Sequence, residues 1–179
     1  MVDKIKPTLI ITLTLIMVAS ASVLTVVQQQ TVPKIEEHAQ KRKENAILTV
    51  LPDADEYEQI NKGDITLYKG LGSGGNVVGY AVQNSGQGYQ SIIKIMVGLD
   101  MNQDKVKRIN ILSQAETPGL GARITNDQFK SQFYGKSFND SYQAKKDVDA
   151  ISGATISSQD VADVVKGAIN KVQEIESEL

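Results

Sequence analysis

The sequence contains no cysteine and no tryptophan, only three phenylalanines, and a single histidine at His38. Without thiols, disulfide bonds, thiolate-held zinc, iron–sulfur clusters and cysteine nucleophiles are all excluded. One histidine cannot build a histidine-rich metal site, so no metal ligands are predicted. Scarce aromatic residues and a net charge of −2 argue against a nucleic-acid partner. Any redox group must therefore be organic and come from outside the chain.

An uncharged, mostly apolar run covers residues 8–27 near the N-terminus. Its length of about 20 residues, at about 1.5 Å per helical residue, matches the hydrocarbon thickness of a bilayer. We therefore predict a single transmembrane helix at about residues 8–27. Lys4 and Lys6 precede this segment, and the positive-inside tendency then places the following domain on the extracytoplasmic side of the cell (inner) membrane.

A cleaved signal peptide is the alternative for this segment. Ala19-Ser20-Ala21 resembles a small-residue cleavage site, and the N-terminal lysines resemble the basic start of a signal peptide. The apolar run continues beyond the usual length of a signal-peptide core, which favours a retained anchor. The charge bias that sets the sidedness is weakened by basic residues soon after the span, namely Lys34, Lys41, Arg42 and Lys43.

The rest of the chain predicts an α+β fold with one central, antiparallel-type sheet and flanking helices. Pro33 is suited to the first turn of a juxtamembrane helix that covers residues 34–51. β-rich runs predict strands at residues 65–68, 77–82, 92–99 and 106–112, with a further brief strand at 148–151.

Two helices are predicted after the sheet, at residues 126–133 and 157–175. The second has apolar residues at helical spacing, and Ser157 or Ser158 can cap it. The predicted organisation is an anchor at residues 1–30, a juxtamembrane helix and turn at 31–55, and one soluble domain at 56–179.

The segment most suited to chemistry is Asp149-Ala150-Ile151-Ser152-Gly153-Ala154-Thr155. Its small residues let a bulky group approach the backbone closely. Its hydroxyls precede a helix N-terminus, whose unpaired N–H groups and positive partial charge suit a phosphate. From these residues alone, a phosphate site and an ordinary serine-rich N-cap both stay open, and the N-cap is favoured.

A second segment, Glu116-Thr117-Pro118-Gly119-Leu120-Gly121, precedes the first by about 30 residues. Pro118 and Gly119 suit the two central positions of a type II turn. Leu120 could pack against a flat ring, and Gly121 permits a close backbone approach. An ordinary tight turn after a strand is the alternative.

Together, the two segments resemble the FMN-binding domains of Rnf-type electron transport complexes and of sodium-translocating NADH:quinone reductases. The resemblance implies that a flavin transferase joins the phosphate of FMN to the Thr155 hydroxyl as a phosphoester. Asp149, Ser152, Gly153 and Ala154 would then form the recognition sequence. Further FMN contacts are implied for Glu116, Thr117, Gly119, Leu120 and Gly121.

The implied function is that of a membrane-anchored electron carrier rather than an independent catalyst, so no catalytic residues are predicted. The length favours the G subunit of an Rnf-type ferredoxin:NAD oxidoreductase, coupled to Na⁺ or H⁺ translocation, with other membrane subunits as partners. Alternatives are the related quinone reductase subunit, a stand-alone FMN-binding carrier, and a cofactor-free membrane adaptor. An enzyme with Ser152 or Ser157 as its nucleophile is disfavoured, because no base lies nearby in the sequence.

Overall fold

The N-terminal part of the protein is one long helix. The computed structural model describes residues 7–63 and 65–176, and helix α1 spans Pro7–Val50. The prediction of a separate juxtamembrane helix that begins near Pro33 is wrong, because the glutamine, valine and threonine residues before Pro33 continue α1 at small cost. Pro33 lies inside α1 rather than at a helix start. A proline there removes one backbone hydrogen bond, which a long helix can lose without ending.

The apolar stretch of α1 is long and apolar enough to cross a membrane. Its large apolar side chains are all more than half exposed. Four hydroxyls in this stretch donate hydrogen bonds of 2.8–2.9 Å to carbonyl oxygens one turn earlier. This arrangement satisfies the polar groups within the helix, as a lipid environment requires. The four residues are Thr12, Thr14, Ser22 and Thr25.

Five strands follow and form one antiparallel sheet in the order β1-β2-β3-β4-β5. The central antiparallel sheet predicted from the sequence is therefore confirmed. Each strand pairs with its neighbours in the chain, so the sheet is a meander joined by short turns. The strands span Glu56–Lys62, Ile65–Leu71, Val77–Gln87, Ile92–Asp100 and Lys105–Ser113.

Two hydrophobic clusters cover the two faces of this sheet. Consecutive strand residues, such as Leu67 and Tyr68 in β2, belong to different clusters, because successive side chains of a strand point to opposite faces of the sheet. The smaller cluster contains Ile47 and Val50 from the last turns of α1. The larger cluster lies between the sheet and the C-terminal helix. The inner strand β4 is buried on both faces over most of its length.

Short helices connect the sheet to the C-terminal helix. A 3₁₀ helix at Gly121–Thr125 is followed by α2 at Asp127–Lys130 and a 3₁₀ turn at Ser131–Phe133. The predicted helix at 126–133 is thus present as two short pieces. Helix α3 then spans Thr155–Glu176.

The predicted strand at 148–151 is wrong, because Val148 makes only an isolated bridge to Ala144. Contacts within the chain define two compact units, Met1–Lys41 and Arg42–Leu179. The domain boundaries given above at residues 30 and 55 stay predictions.

Candidate functional site

Each of the two glycine-containing segments forms a tight turn of the same kind. In the first turn, the Leu120 N–H donates to the Thr117 carbonyl over 3.1 Å, and Gly119 has φ +76°. In the second, the Ala154 N–H donates to the Ile151 carbonyl over 2.8 Å, and Gly153 has φ +78°. A positive φ at the third position is the mark of a type II turn and favours glycine. The type II geometry predicted from Pro118-Gly119 is therefore present.

The two turns touch each other. A Cβ atom added to Gly153 would lie 3.1 Å from Leu120 Cδ2. A Cβ atom added to Gly121 would lie 2.8 Å from Ser157 Oγ and 2.9 Å from Glu116 Cβ. Glycine at position 121 thus permits the first turn to lie directly against the start of α3.

Between the turns lies a cleft of about 660 Å³, a size typical of small-molecule sites. Thr155, the first residue of α3, is half-buried in its wall. Tyr89, Leu120 and Ile156 line the same cleft and are 63%, 43% and 56% exposed. The cleft therefore combines a hydroxyl at a helix N-terminus with an open apolar rim. Its lining is completed by Gln90, Thr117, Gly121, Gly153, Ala154 and Ser157.

The other predicted site residues lie outside this cleft. Asp149 and Ser152 line a separate cavity of about 220 Å³, together with Arg123 and Gln132. The Gln132 side chain binds the Asp149 backbone at two points. Gln132 Oε1 accepts a 2.7 Å hydrogen bond from the Asp149 N–H, and Gln132 Nε2 donates one of 3.4 Å to the Asp149 carbonyl. Gly119 is exposed in its turn. The second turn thus separates two cavities.

Glu116 lies behind the cleft wall and is only 4% exposed. Its Oε1 atom accepts hydrogen bonds of 3.1 Å from the N–H groups of both Gln90 and Ser91, and one of 3.3 Å from Ser91 Oγ. Its Oε2 atom accepts a 2.6 Å bond from Ser157 Oγ. One carboxylate therefore joins the β3–β4 turn, the first glycine turn and helix α3.

These hydrogen bonds determine the ionisation of Glu116. Burial would raise the pKa of this carboxyl, but the bonds from Ser157, Gln90 and Ser91 outweigh burial and lower the pKa below its ordinary value. In contrast, burial and the negative charges of Asp163 and Glu116 raise the pKa of Asp160, one turn further along α3. Near the start of α3 there are thus two carboxyls with opposite pKa shifts, that of Glu116 lowered and that of Asp160 raised.

The serines at the start of α3 do not cap it. Ser158 Oγ accepts a 3.0 Å bond from the Ile151 N–H and donates to the Ala154 carbonyl over 2.9 Å. Ser157 is bonded to Glu116, and both serines lie inside the helix. The predicted N-cap is therefore wrong, since these hydroxyls hold the second turn and the buried carboxylate instead. Ser157 is also only 2% exposed, which gives no support to a nucleophilic role.

Sequence reasoning missed the β3–β4 turn as a wall of the cleft. Gly88-Tyr89-Gln90-Ser91 has no hydrophobic period, and its link to Glu116 spans about 25 residues. A Cβ on Gly88 would lie 2.6 Å from Glu116 Oε1, so this position requires a residue without a side chain. The sequence did offer one signal, since Gly86 and Gly88 flank a single residue. Two glycines so close together in a strand end indicate that other atoms approach the backbone closely there.

Comparisons with known proteins agree with this geometry. The FMN-binding domain family matches residues 88–170, which include both glycine turns and the β3–β4 turn. The G subunit of the ion-translocating oxidoreductase complex of Methanosarcina acetivorans is 32% identical over 173 residues, with 91% of this chain and 92% of that protein covered. The G subunit of the proton-translocating ferredoxin:NAD(+) oxidoreductase complex of Clostridium ljungdahlii is 29% identical over 165 residues, with 89% and 88% covered.

A solved structure shares the fold. The crystal structure of the C subunit of the Na(+)-translocating NADH-quinone reductase from Parabacteroides distasonis has a TM-score of 0.58 at 19% identity, covering 78% of this chain and 92% of that one. The resemblance found in the two sequence motifs is thus confirmed over nearly the whole length. The chain belongs to the family of G subunits of Rnf-type ion-translocating oxidoreductase complexes and contains that family's FMN-binding domain.

Proposed function

We propose that this protein is a membrane-anchored electron-transfer subunit of an Rnf-type complex and carries FMN covalently on Thr155. The observation that carries the proposal is the position of Thr155, which is the first residue of α3 and lines a cleft of about 660 Å³. Bound there, FMN supplies redox chemistry in one- or two-electron steps. The protein binds it, orients it and limits the access of water.

The attachment is a phosphoester. The Thr155 hydroxyl oxygen forms a bond to the phosphorus of FMN, the hydroxyl loses its proton, and the leaving group of an activated flavin donor departs from phosphorus. A flavin transferase is the proposed catalyst of this step. The N-terminus of α3 then stabilises the phosphate through its unpaired N–H groups and positive partial charge.

The rim of the cleft suits the flat isoalloxazine ring. Leu120 and Ile156 offer exposed apolar side chains in the cleft that Thr155 lines, and Tyr89 adds an exposed aromatic ring. Of the remaining predicted contact residues, four line the cleft, namely Thr117, Gly121, Gly153 and Ala154. Glu116 is buried behind the cleft wall, and Gly119 is exposed in the first turn. Asp149 and Ser152, which lie outside the cleft, are proposed to serve recognition by the transferase.

The proposed complex oxidises ferredoxin, reduces NAD and couples these reactions to Na⁺ or H⁺ translocation by other membrane subunits. Helix α1 supplies the single-pass anchor, and the domain that bears Thr155 is proposed to lie on the extracytoplasmic side. A membrane adaptor without a cofactor would have the same anchor but would not need the cleft around Thr155.

The test is intact-mass analysis of the full-length chain after co-expression with a flavin transferase, together with in-gel flavin fluorescence. We expect the wild-type mass to rise by one FMN less one water, and Thr155→Ala to abolish both mass shift and fluorescence. Ser157→Ala is the matched control, because it removes a neighbouring hydroxyl in the same helix turn, and it should remain modified. An unmodified wild-type chain would favour the adaptor, and a flavin on Thr155→Ala would move the attachment site.

A further inference from the structure

Within the described part of the chain, the buried carboxylate of Glu116 accepts hydrogen bonds from neutral groups only. Its four hydrogen-bond donors are two backbone N–H groups and the hydroxyls of Ser91 and Ser157. Among residues 7–63 and 65–176, no lysine, arginine or histidine forms a salt bridge with it. Neutral donors stabilise a charge locally but do not cancel it.

The Glu116 charge acts on groups beyond its own hydrogen bonds. Its negative charge contributes to raising the pKa of Asp160 on α3. Asp160 Oδ2 is itself buried and has no hydrogen-bond partner in the described part of the chain. Glu116 is only 4% exposed, so water screens its charge less than that of a surface group.

The charge also lies directly behind the cleft. Two of the donors to Glu116, Gln90 and Ser157, belong to residues that line the cleft. Gly121, another lining residue, would place a Cβ only 3.1 Å from Glu116 Oε2. The wall between the carboxylate and the cleft is thus about one residue thick.

We propose that Glu116 is a positioning residue whose uncompensated negative charge lowers the reduction potential of the flavin attached to Thr155. The proposal rests on the proposed function. Reduction adds an electron to the flavin, and a fixed negative charge nearby opposes that addition. The same carboxylate fixes the three segments that form the cleft, so it sets both its shape and its electrostatic potential.

The test is the midpoint potential of the flavinylated full-length chain, measured by spectroelectrochemical titration. Glu116→Gln keeps an oxygen that accepts from Gln90 and Ser91 but removes the charge. We expect its flavin potential to rise relative to wild type, while Glu116→Asp should stay closer to wild type. Asp163→Asn is the matched control, since it removes one negative charge from an exposed site on α3, and it should shift the potential much less.

A second variant leaves Glu116 and its hydrogen bonds in place. Asp160→Lys puts a positive charge at a position that interacts electrostatically with Glu116 and should also raise the potential, more than Asp163→Lys does. Thermal unfolding of the unmodified variants identifies any loss of fold separately. This variant tests the proposal even where Glu116→Gln folds poorly.

The outcomes separate the two proposals. A wild-type chain without covalent flavin overturns the proposed function. It also overturns the proposed effect of Glu116 on the flavin potential, because that effect requires the flavin. A flavinylated wild type whose potential matches that of Glu116→Gln and Asp160→Lys overturns only the electrostatic role and leaves Glu116 as a brace. Equal shifts in the Asp163 controls would also overturn it, because a general change of net charge would then explain the result.

Discussion

Two carboxylates, Glu116 and Asp147, each hold a loop together, but they do so in different electrostatic settings. Asp147 accepts bonds of 2.7–2.9 Å from Ser141 Oγ and the N–H groups of Tyr142 and Gln143. It also lies 3.2 Å from the ammonium of Lys136. Burial would raise the pKa of Asp147, but these bonds outweigh it and hold the pKa well below its ordinary range.

The two carboxylates differ in that Asp147 pairs with the ammonium of Lys136, whereas Glu116 has no salt bridge in the described part of the chain. Asp147 organises the loop before α3 as part of an ion pair, so the ammonium of Lys136 offsets part of its charge. Glu116 does the same work for the cleft with neutral donors only, and its charge remains. A lysine suits a carboxylate that only braces a fold, whereas the proposed effect of Glu116 on a flavin requires that its charge is not paired.

The largest expected effect on stability comes from removing the ion-paired carboxylate, Asp147. Asp147→Ala removes the acceptor for three loop donors and the nearer of the two carboxylates that pair with Lys136 in the described part of the chain. We expect a loss of about 3 kcal/mol in the free energy of unfolding, measured by urea denaturation. The control is Asp149→Ala, which removes an exposed carboxylate two residues away and should cost well under about 1 kcal/mol. Equal costs would contradict the bracing role of Asp147.

The next largest effect is expected in the glycines around Glu116. Gly121→Ala puts a methyl group 2.8 Å from Ser157 Oγ, which should cost about 2 kcal/mol and lower flavin incorporation. Gly119→Ala meets no atom within 4 Å and is strained only by its φ of +76°, at a cost of about 1 kcal/mol. Urea denaturation and in-gel fluorescence measure both effects. Full incorporation in Gly121→Ala would mean that the cleft tolerates displacement of its wall.

A smaller effect follows from removing one donor. Ser157→Ala deletes the 2.6 Å bond to Glu116 Oε2 and leaves the three bonds to Oε1. We expect a loss of about 1 kcal/mol in unfolding free energy and a rise in the pKa of Glu116, which NMR titration of the side-chain carboxyl can follow. An unchanged pKa would show that the Oε1 bonds alone determine the ionisation.

The smallest effect is in the pH dependence of stability. Folding lowers the pKa of both carboxyls, so their contribution is complete above about pH 5 and is lost as the pH falls through the ordinary Asp and Glu range. Urea denaturation between about pH 7 and about pH 3 should show decreasing stability. Asp147→Asn should flatten this slope more than Glu116→Gln does, since the pKa of Asp147 is lowered further. The opposite ranking would mean that Glu116 is the more strongly stabilised charge.

The sequence predicts the sheet where strands have apolar β-branched residues and misses it where they do not. Strand β1, Glu56–Lys62, escaped prediction because its residues are mainly polar and mostly exposed at the sheet edge. The brief strand predicted at 148–151 has apolar residues, but they are buried by α3 and the preceding loop without a strand partner. Apolar content alone therefore does not distinguish a strand from a buried loop.

The site was predictable to the extent that its chemistry is local. The Pro118-Gly119 turn follows from a short motif, because a type II turn needs only a few consecutive residues. Thr155 was selected by the resemblance of its motif to a family, and its role stays a prediction. The Glu116–Ser157 bond joins residues 41 positions apart, and no periodic pattern encodes such a pair. The participation of Tyr89 and Gln90 was missed for the same reason.

The order of the strands has a consequence for the kinetics of folding. A meander of adjacent hairpins needs only short loop closures, so the sheet can assemble early, whereas α3 must return from the far end of the chain. Until it does, Glu116 has no Ser157 to bind and remains hydrated. We therefore expect the cleft to be completed in the last step of folding, and a chain interrupted before that step would have a finished sheet but no place for a cofactor.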